Sequence, residues 1–144
     1  MRLLLDTNVL VRLANSQDPG RALVLNTLRK QVLQGNRLFL VPQNLYEFWA
    51  VATRPPQVNG LGLTPSQTRQ EIEQFALAYE VLPDTSAVFQ HWLHLVSTHA
   101  VSGRPSHDAR IAAAVQAHGL DALLTLNAPD FKRYGLTVLT PADL

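Results

Sequence analysis

The chain has no cysteine. Disulfide scaffolds, thiolate zinc centres and cysteine nucleophiles are therefore excluded, and a cytoplasmic location is expected. Lysine is scarce: Lys30 and Lys132 stand against ten arginines. No apolar run is long enough to cross a bilayer, so no membrane role is expected. A secretory leader is not expected either, because Arg2 is followed by only three leucines and then an acid. A strong excess of one charge is lacking too. A net charge of +1 does not by itself mark a nucleic-acid binder. Distribution matters more than the total. If four of the eleven acids gather in one cleft, the remaining surface carries twelve bases against seven acids, a balance of +5. Arginine suits bidentate phosphate contacts, although genome composition accounts for the bias equally well.

What is present is organised around the first eight residues. Leu3, Leu4 and Leu5 form a continuous apolar run, the pattern of a strand buried on both faces at the centre of a parallel sheet. The run stops at Asp6, and an acid at the carboxyl end of such a strand lies where open α/β sheets bind ligands. With 144 residues the chain is expected to form a single domain, 1–144, around one core of useful size.

Further along, apolar segments alternate between strand and helix patterns. Arg37–Val41, Tyr79–Leu82, Asp121–Thr125 and Thr137–Leu139 read as strands two to five. Asp18 and Pro19 read as the cap and first residue of a helix that ends at Gly35. Gln43–Thr53 reads as a helix with Glu47 among large apolar neighbours. Thr64, Asp84 and Ser106 read as caps of three later helices, the last one alanine-rich and ended by Gly119. Between Arg54 and Leu63 the prolines and glycines exclude a regular helix, and the apolar residues among them point to a loop that packs. Strands alternating with helices imply an α/β sandwich with a parallel sheet.

Three acids then stand out: Asp6 at a strand end, Glu47 on a helix, and Asp108 in the first turn of another. A fourth position follows the fourth strand, filled by Asn127 or by Asp130. Carboxylates sharing a cleft repel one another unless a cation joins them, and Mg²⁺ or Mn²⁺ suits oxygen ligands. Plainer roles are open to each. Asp6 can cap the next helix, Glu47 can pair with Arg54 or Arg12, and Asp108 and Asp130 can serve as first-turn acids. Asn127 has the better address, two residues past Thr125, whereas Asp130 has the better charge; Asn127 is expected to face the site and Asp130 to be a structural or supporting residue in the first turn of a short helix. His91 and His94 are three apart but lack a third ligand, and read as a solvated helix face. A phosphatase of the haloacid-dehalogenase type also begins with an Asp at its first strand, but it needs a second acid where this chain has Asn8.

Leu5-Asp6-Thr7-Asn8, Glu47 within Asn44–Phe48, His107-Asp108-Ala109, and Leu124–Asn127 with Asp130-Phe131 resemble the PIN-domain proteins. The subgroup they most resemble is the VapC toxins of bacterial toxin–antitoxin pairs, as does the loop from Thr53 to Gly62. The resemblance implies a three-layer α/β sandwich with a five-stranded parallel sheet in the order 3-2-1-4-5. It implies a Mg²⁺- or Mn²⁺-dependent endoribonuclease, often a homodimer, held in check by a cognate antitoxin. Carried over by position, Asp6, Glu47, Asp108 and Asn127 form the catalytic site. Asp6 and Asp108 bind the metal, Glu47 holds or positions water, and Asn8, Thr125 and Asp130 support them. Arg104 and Arg54 are candidates for RNA phosphate contacts. Trp49, Pro55, Pro56, Val58, Leu61 and Leu63 are expected to form an apolar groove for the antitoxin. The alternative is a PIN-like module that binds RNA or a partner without cutting.

Overall fold

The three leucines that open the chain divide between two cores, one on each side of a sheet. A computed structural model describes residues 1–144. Its first strand, β1 (Arg2–Leu5), is followed by α1 (Thr7–Ala14), α2 (Arg21–Leu33), β2 (Arg37–Leu40), α3 (Pro42–Thr53) and α4 (Pro65–Ala78). Then come β3 (Glu80–Val81), α5 (Ser86–Thr98), α6 (Pro105–Ala117), β4 (Ala122–Leu124) and β5 (Val138–Leu139). All neighbouring strands pair in parallel, in the order β3-β2-β1-β4-β5. The expected fold class and strand order are those observed.

Side chains alternate across a strand, and the burial follows that period. Leu4, Phe39 and Leu123 face a core built with α5 and α6. Leu3, Leu5, Leu38, Leu40, Ala122 and Leu124 face a second core, shared with α1 to α4. Phe48 of α3 and Phe75 of α4 meet edge to face there, with ring centroids 5.1 Å apart. Each fully buried leucine contributes roughly 1.5–3 kcal/mol relative to exposure. In α6, Ala109, Ala112 and Ala113 are wholly buried, so small side chains bring this helix close to the sheet.

Several expected helix starts move. The helix expected to open at Asp18-Pro19 begins at Arg21, because the Asp18 carboxylate is engaged elsewhere. It accepts from the Gly20 amide at 2.7 Å and pairs with Arg12 at 3.2 Å, closing a turn. Asp84 does not cap α5. Thr85 takes that position, while Asp84 pairs with Arg110 at 2.9 Å. Ser106 is inside α6, which starts one residue earlier at Pro105. Thr64 caps α4 as expected, exchanging hydrogen bonds with Gln67.

The loop after α3 folds back onto that helix. The amides of Leu61, Gly62 and Leu63 donate to the carbonyls of Val51, Arg54 and Ala52 at the end of the helix, where i→i+4 partners run out. Leu61 and Leu63 pack against the second core. The expected antitoxin groove is thereby reduced: these two leucines cover the core, and Trp49, Pro55, Pro56 and Val58 remain exposed. A different apolar groove lies between α2 and the sheet edge, lined by Leu25, Leu28, Val32 and Leu38.

Gly60 is required at the fold-back by space. A Cβ there would meet the Arg54 carbonyl oxygen at 1.9 Å. Gly35 is required only by its φ of +83°, with nothing within 4 Å of a Cβ. Gly60→Ala should therefore cost more than Gly35→Ala, about 3 kcal/mol against roughly 1–2 kcal/mol. Urea denaturation of the two variants checks the order.

Candidate functional site

The carboxyl ends of β1 and β4 lie side by side, and a short polar network joins them. Asp6 follows β1 directly, and its amide continues the ladder by donating to the Leu124 carbonyl at 2.9 Å. Its side chain is 8% exposed. One carboxylate oxygen accepts from the Thr7 amide at 2.7 Å, so Asp6 does cap α1. The other accepts from the Thr125 hydroxyl, also at 2.7 Å. The cap and the cleft thus use different oxygens of one side chain. Asn8 donates to Thr125 Oγ1 at 3.2 Å and accepts from the Leu126 amide at 3.2 Å, so it holds the end of β4 against α1.

Glu47 comes from α3 and is oriented by two donors. Gln43 Nε2 reaches it at 3.0 Å and the Thr7 hydroxyl at 3.3 Å. Gln43 Nε2 also donates to the His107 carbonyl at 2.8 Å, tying α3 to the first turn of α6 beside Asp108. Both of its hydrogens are used, which fixes the amide orientation and leaves Oε1 buried without a partner. Asn44, wholly buried, accepts from the Val41 amide and donates to the Leu5 carbonyl and to Thr7 Oγ1. The start of α3 is therefore locked to the end of β1.

Electrostatics bring the acids into one system. Burial pushes Asp6 up to about 6, against hydrogen bonds from Thr125 and Thr7, and the charges of Glu47 and Asp130 push the same way. Burial also raises Asp108 to about 6, helped by Asp6 and Asp130 and opposed by His107 and Arg133. Glu47 is raised by burial and then by Asp108, while Gln43, Thr7 and His107 act to lower it. None of the four ion pairs in the molecule involves these acids. The alternative of a Glu47 pair with Arg12 or Arg54 is not what the chain adopts: Arg12 pairs with Asp18, and Arg54 is exposed.

Asn127 and Asp130 act as one unit. Asn127 Nδ2 donates to Asp130 Oδ2 at 2.6 Å, and the Asn127 amide donates to Thr125 Oγ1 at 3.0 Å. Both side chains are exposed, and the Asn127 side chain does not cap the short 3₁₀ turn Ala128–Tyr134. Asp130 sits in the first turn, as expected, yet its charge also acts on Asp6 and Asp108. That is more than the helix-start role the sequence favoured for it. Arg104 precedes α6 and Arg54 follows α3, both exposed. His91 contacts Gln116 on the surface, and no His pair takes part in a metal-binding group.

Two polar residues escaped the sequence reading, Gln43 and Arg133, and His107 was read only as a neighbour of Asp108. Gln43 had a signal, since it lies one helical turn before Glu47. Arg133 had none, because only the 3₁₀ turn brings it towards Asp108.

Coupled carboxylates with no ion-pair partner, only Arg133 and His107 acting on Asp108 from nearby, fit a hard divalent ion in their donor chemistry. No three of these side chains stand at the spacing of a closed ligand cluster, however. Mg²⁺ is commonly held by one or two carboxylates plus water, so the donor set fits without such a cluster.

The PIN domain family model matches residues 3–136. The chain belongs to the PIN-domain family. Among solved structures, this PIN domain is similar to VapBC2 from Rickettsia felis bound to a promoter DNA fragment. The TM-score is 0.75 at 19% identity, covering 97% of this chain and 98% of the other. It is also similar to FitAcB from Neisseria gonorrhoeae, with TM-score 0.72, 20% identity and 99% of both chains covered. A third similar structure is VapC20 of Mycobacterium tuberculosis, described as a sarcin–ricin-loop-cleaving toxin. Its TM-score is 0.62 at 16% identity, covering 94% of this chain and 96% of that one. These likenesses show the fold. No curated protein matches the chain.

The raised acids make a stability test. Between about pH 4 and 6 the folded protein binds more protons at Asp6 and Asp108 than the unfolded chain does. Their contribution to stability therefore falls as pH rises through that window and levels off above it. In EDTA, Asp108→Asn should lose less stability than the parent between pH 4.5 and 7. Urea midpoints at the two pH values measure the difference, and equal losses in both proteins would refute it.

Proposed function

We propose that this PIN domain is a Mg²⁺- or Mn²⁺-dependent endoribonuclease, the toxin of a toxin–antitoxin pair. The observation that supports the reading is the electrostatic coupling of Asp6, Glu47 and Asp108, each raised by burial and none in an ion pair. Groups held at perturbed pKa values in a cleft mark functional sites more often than structural ones. In this reading Asp6 and Asp108 hold the metal, and Glu47 does so through water. When bound, the ion neutralises the cleft and stabilises charge on a phosphodiester.

The chain's own residues do the rest. Thr125 and Thr7 hold Asp6 in one rotamer, and Gln43 and Thr7 aim Glu47. Aimed by those donors, Glu47 positions the attacking water and is the candidate acceptor of its proton. Asn127 and Asp130 close the fourth side, Asp130 supplying the charge that the amide lacks. Arg104, Arg54 and Arg133 are the candidates for the RNA backbone, with charge to offer it outside the cleft. The likeness to VapBC2 supports an antitoxin partner, one that lays an apolar segment on the surface and a cation into the acids; the homodimer rests on the resemblance to VapC toxins alone.

A non-cutting PIN-like module that binds RNA or a partner is the second reading, favoured by the lack of a closed three-ligand cluster. Cleavage separates the two. RNA should be cut only with Mg²⁺ or Mn²⁺, and Asp6→Asn or Asp108→Asn should lose at least about 10²-fold while staying folded. Full activity in EDTA would sink the proposal.

The fourth position gives a finer test. If Asp130 supplies the charge, Asp130→Asn should raise the Mg²⁺ requirement, and Asn127→Asp should lower it. Mg²⁺ titration of cleavage reads both. A normal requirement in Asp130→Asn would return that residue to a structural role.

A further inference from the structure

A groove of about 400 Å³ between α5 and α6 shares one residue with the neighbourhood of the acidic cleft. His107 lines the groove and immediately precedes Asp108, and its charge acts on both Asp108 and Glu47. Across from it, Phe89 and Trp92 lie one turn apart on α5, with ring centroids 6.2 Å apart and planes inclined by 31°. Phe89 is 60% exposed. A single exposed ring is ordinary on a protein surface, and its surroundings are what matter. Trp92 is fixed, because its indole N–H donates to the Ser106 carbonyl at 2.8 Å in the first turn of α6. Arg110 and Asp84 pair at 2.9 Å on the wall with both side chains more than a third exposed. The groove thus offers a flat aromatic surface together with donors and acceptors at its edge.

We propose that this groove holds an unpaired nucleobase of the single-stranded RNA whose phosphate lies at the acids. The inference rests on the nuclease reading and names a substrate subsite for it. Phe89 stacks on the base face, as aromatic platforms do in single-strand binding. Arg110, Asp84 and the Thr85 hydroxyl meet the base edge. A purely apolar occupant would leave the Arg110–Asp84 pair desolvated without new partners, whereas a base offers both donors and acceptors. Proximity supplies the second argument. His107 spans one residue between groove and acids, the scale on which a base accompanies its own phosphate. A base that leaves the stack also opens the backbone to attack, which suits single-stranded or looped RNA.

The test uses the full chain carrying Trp49→Phe, which leaves Trp92 as the sole tryptophan, with Ca²⁺ replacing Mg²⁺ so that the acids are neutralised, and with the RNA checked on a gel to be intact. A short single-stranded RNA of mixed sequence should quench Trp92 fluorescence. The same oligonucleotide with abasic sites should bind with little quenching. Phe89→Ala, a change at an exposed position, should weaken RNA binding about tenfold. Equal quenching by the abasic strand, or unchanged affinity in Phe89→Ala, would overturn the subsite. So would sedimentation showing that Phe89→Ala splits a dimer at constant RNA affinity, since the groove would then seat a second copy of the chain. Cleavage in Mg²⁺ is scored separately with the parent chain. RNA held through Phe89 but never cut defeats the nuclease reading and leaves the subsite standing, whereas cutting without Phe89 dependence does the reverse.

Discussion

The arrangement depends on a carboxylate kept in a dry place without a counter-charge. Asp6 lies at the end of the central strand, 8% exposed, and its neighbours with formal charge are other acids. Two hydrogen bonds, from Thr125 and Thr7, offset part of the desolvation cost and leave the group raised to about 6. A fold selected for stability alone would place an arginine here or an apolar residue. Strain of this kind is carried by the surrounding core, and the strands that bear it are the best-buried elements of the molecule.

That constraint explains the polar residues around it. Asn8 and Thr125 join α1 to β4 so that Asp6 cannot turn away. Asn44 ties α3 to the end of β1, and Gln43 ties α3 to α6. Glu47 and Asp108 come from helices that pack on opposite faces of the sheet, and only these ties set their relation. The fold-back of Leu61 and Leu63 onto α3 anchors the same helix at its other end. Both ends of α3 are thus held, which suits a helix that carries one acid of the site.

The same helix ends define what surrounds the cleft. The start of α6 carries His107 and Asp108 towards the acids, while its Ser106 carbonyl anchors Trp92 on α5. An acidic centre and an aromatic groove therefore share one rigid turn. Exposed Arg104 precedes this turn, and the charge of exposed Arg133 reaches Asp108. For a strand carrying both phosphates and bases, these are complementary chemistries at neighbouring places.

Much of this was legible in the residues. Continuous apolar runs in β1, β2 and β4 meant strands buried on two faces, because neither side of such a strand meets water. The positions of Asp6, Glu47 and Asp108 followed from the resemblance and from where each acid stood in its element. Helix starts at Asp18 and Asp84 were misplaced because a side chain that can cap can also pair, and α6 starts one residue before Ser106. Arg12 and Arg110 took those two acids through contacts that local pattern does not encode. Leu61 and Leu63 looked available for a partner until the loop closed over the core. A 3₁₀ turn sets Asp130 beside Asn127 and within electrostatic reach of two strand- and helix-borne acids, a placement that local pattern does not encode. Sequence determined which segments must be buried, since burial follows hydrophobic period. Tertiary structure alone decided which charges meet, since Coulomb interaction depends on distances in space that chain separation does not record.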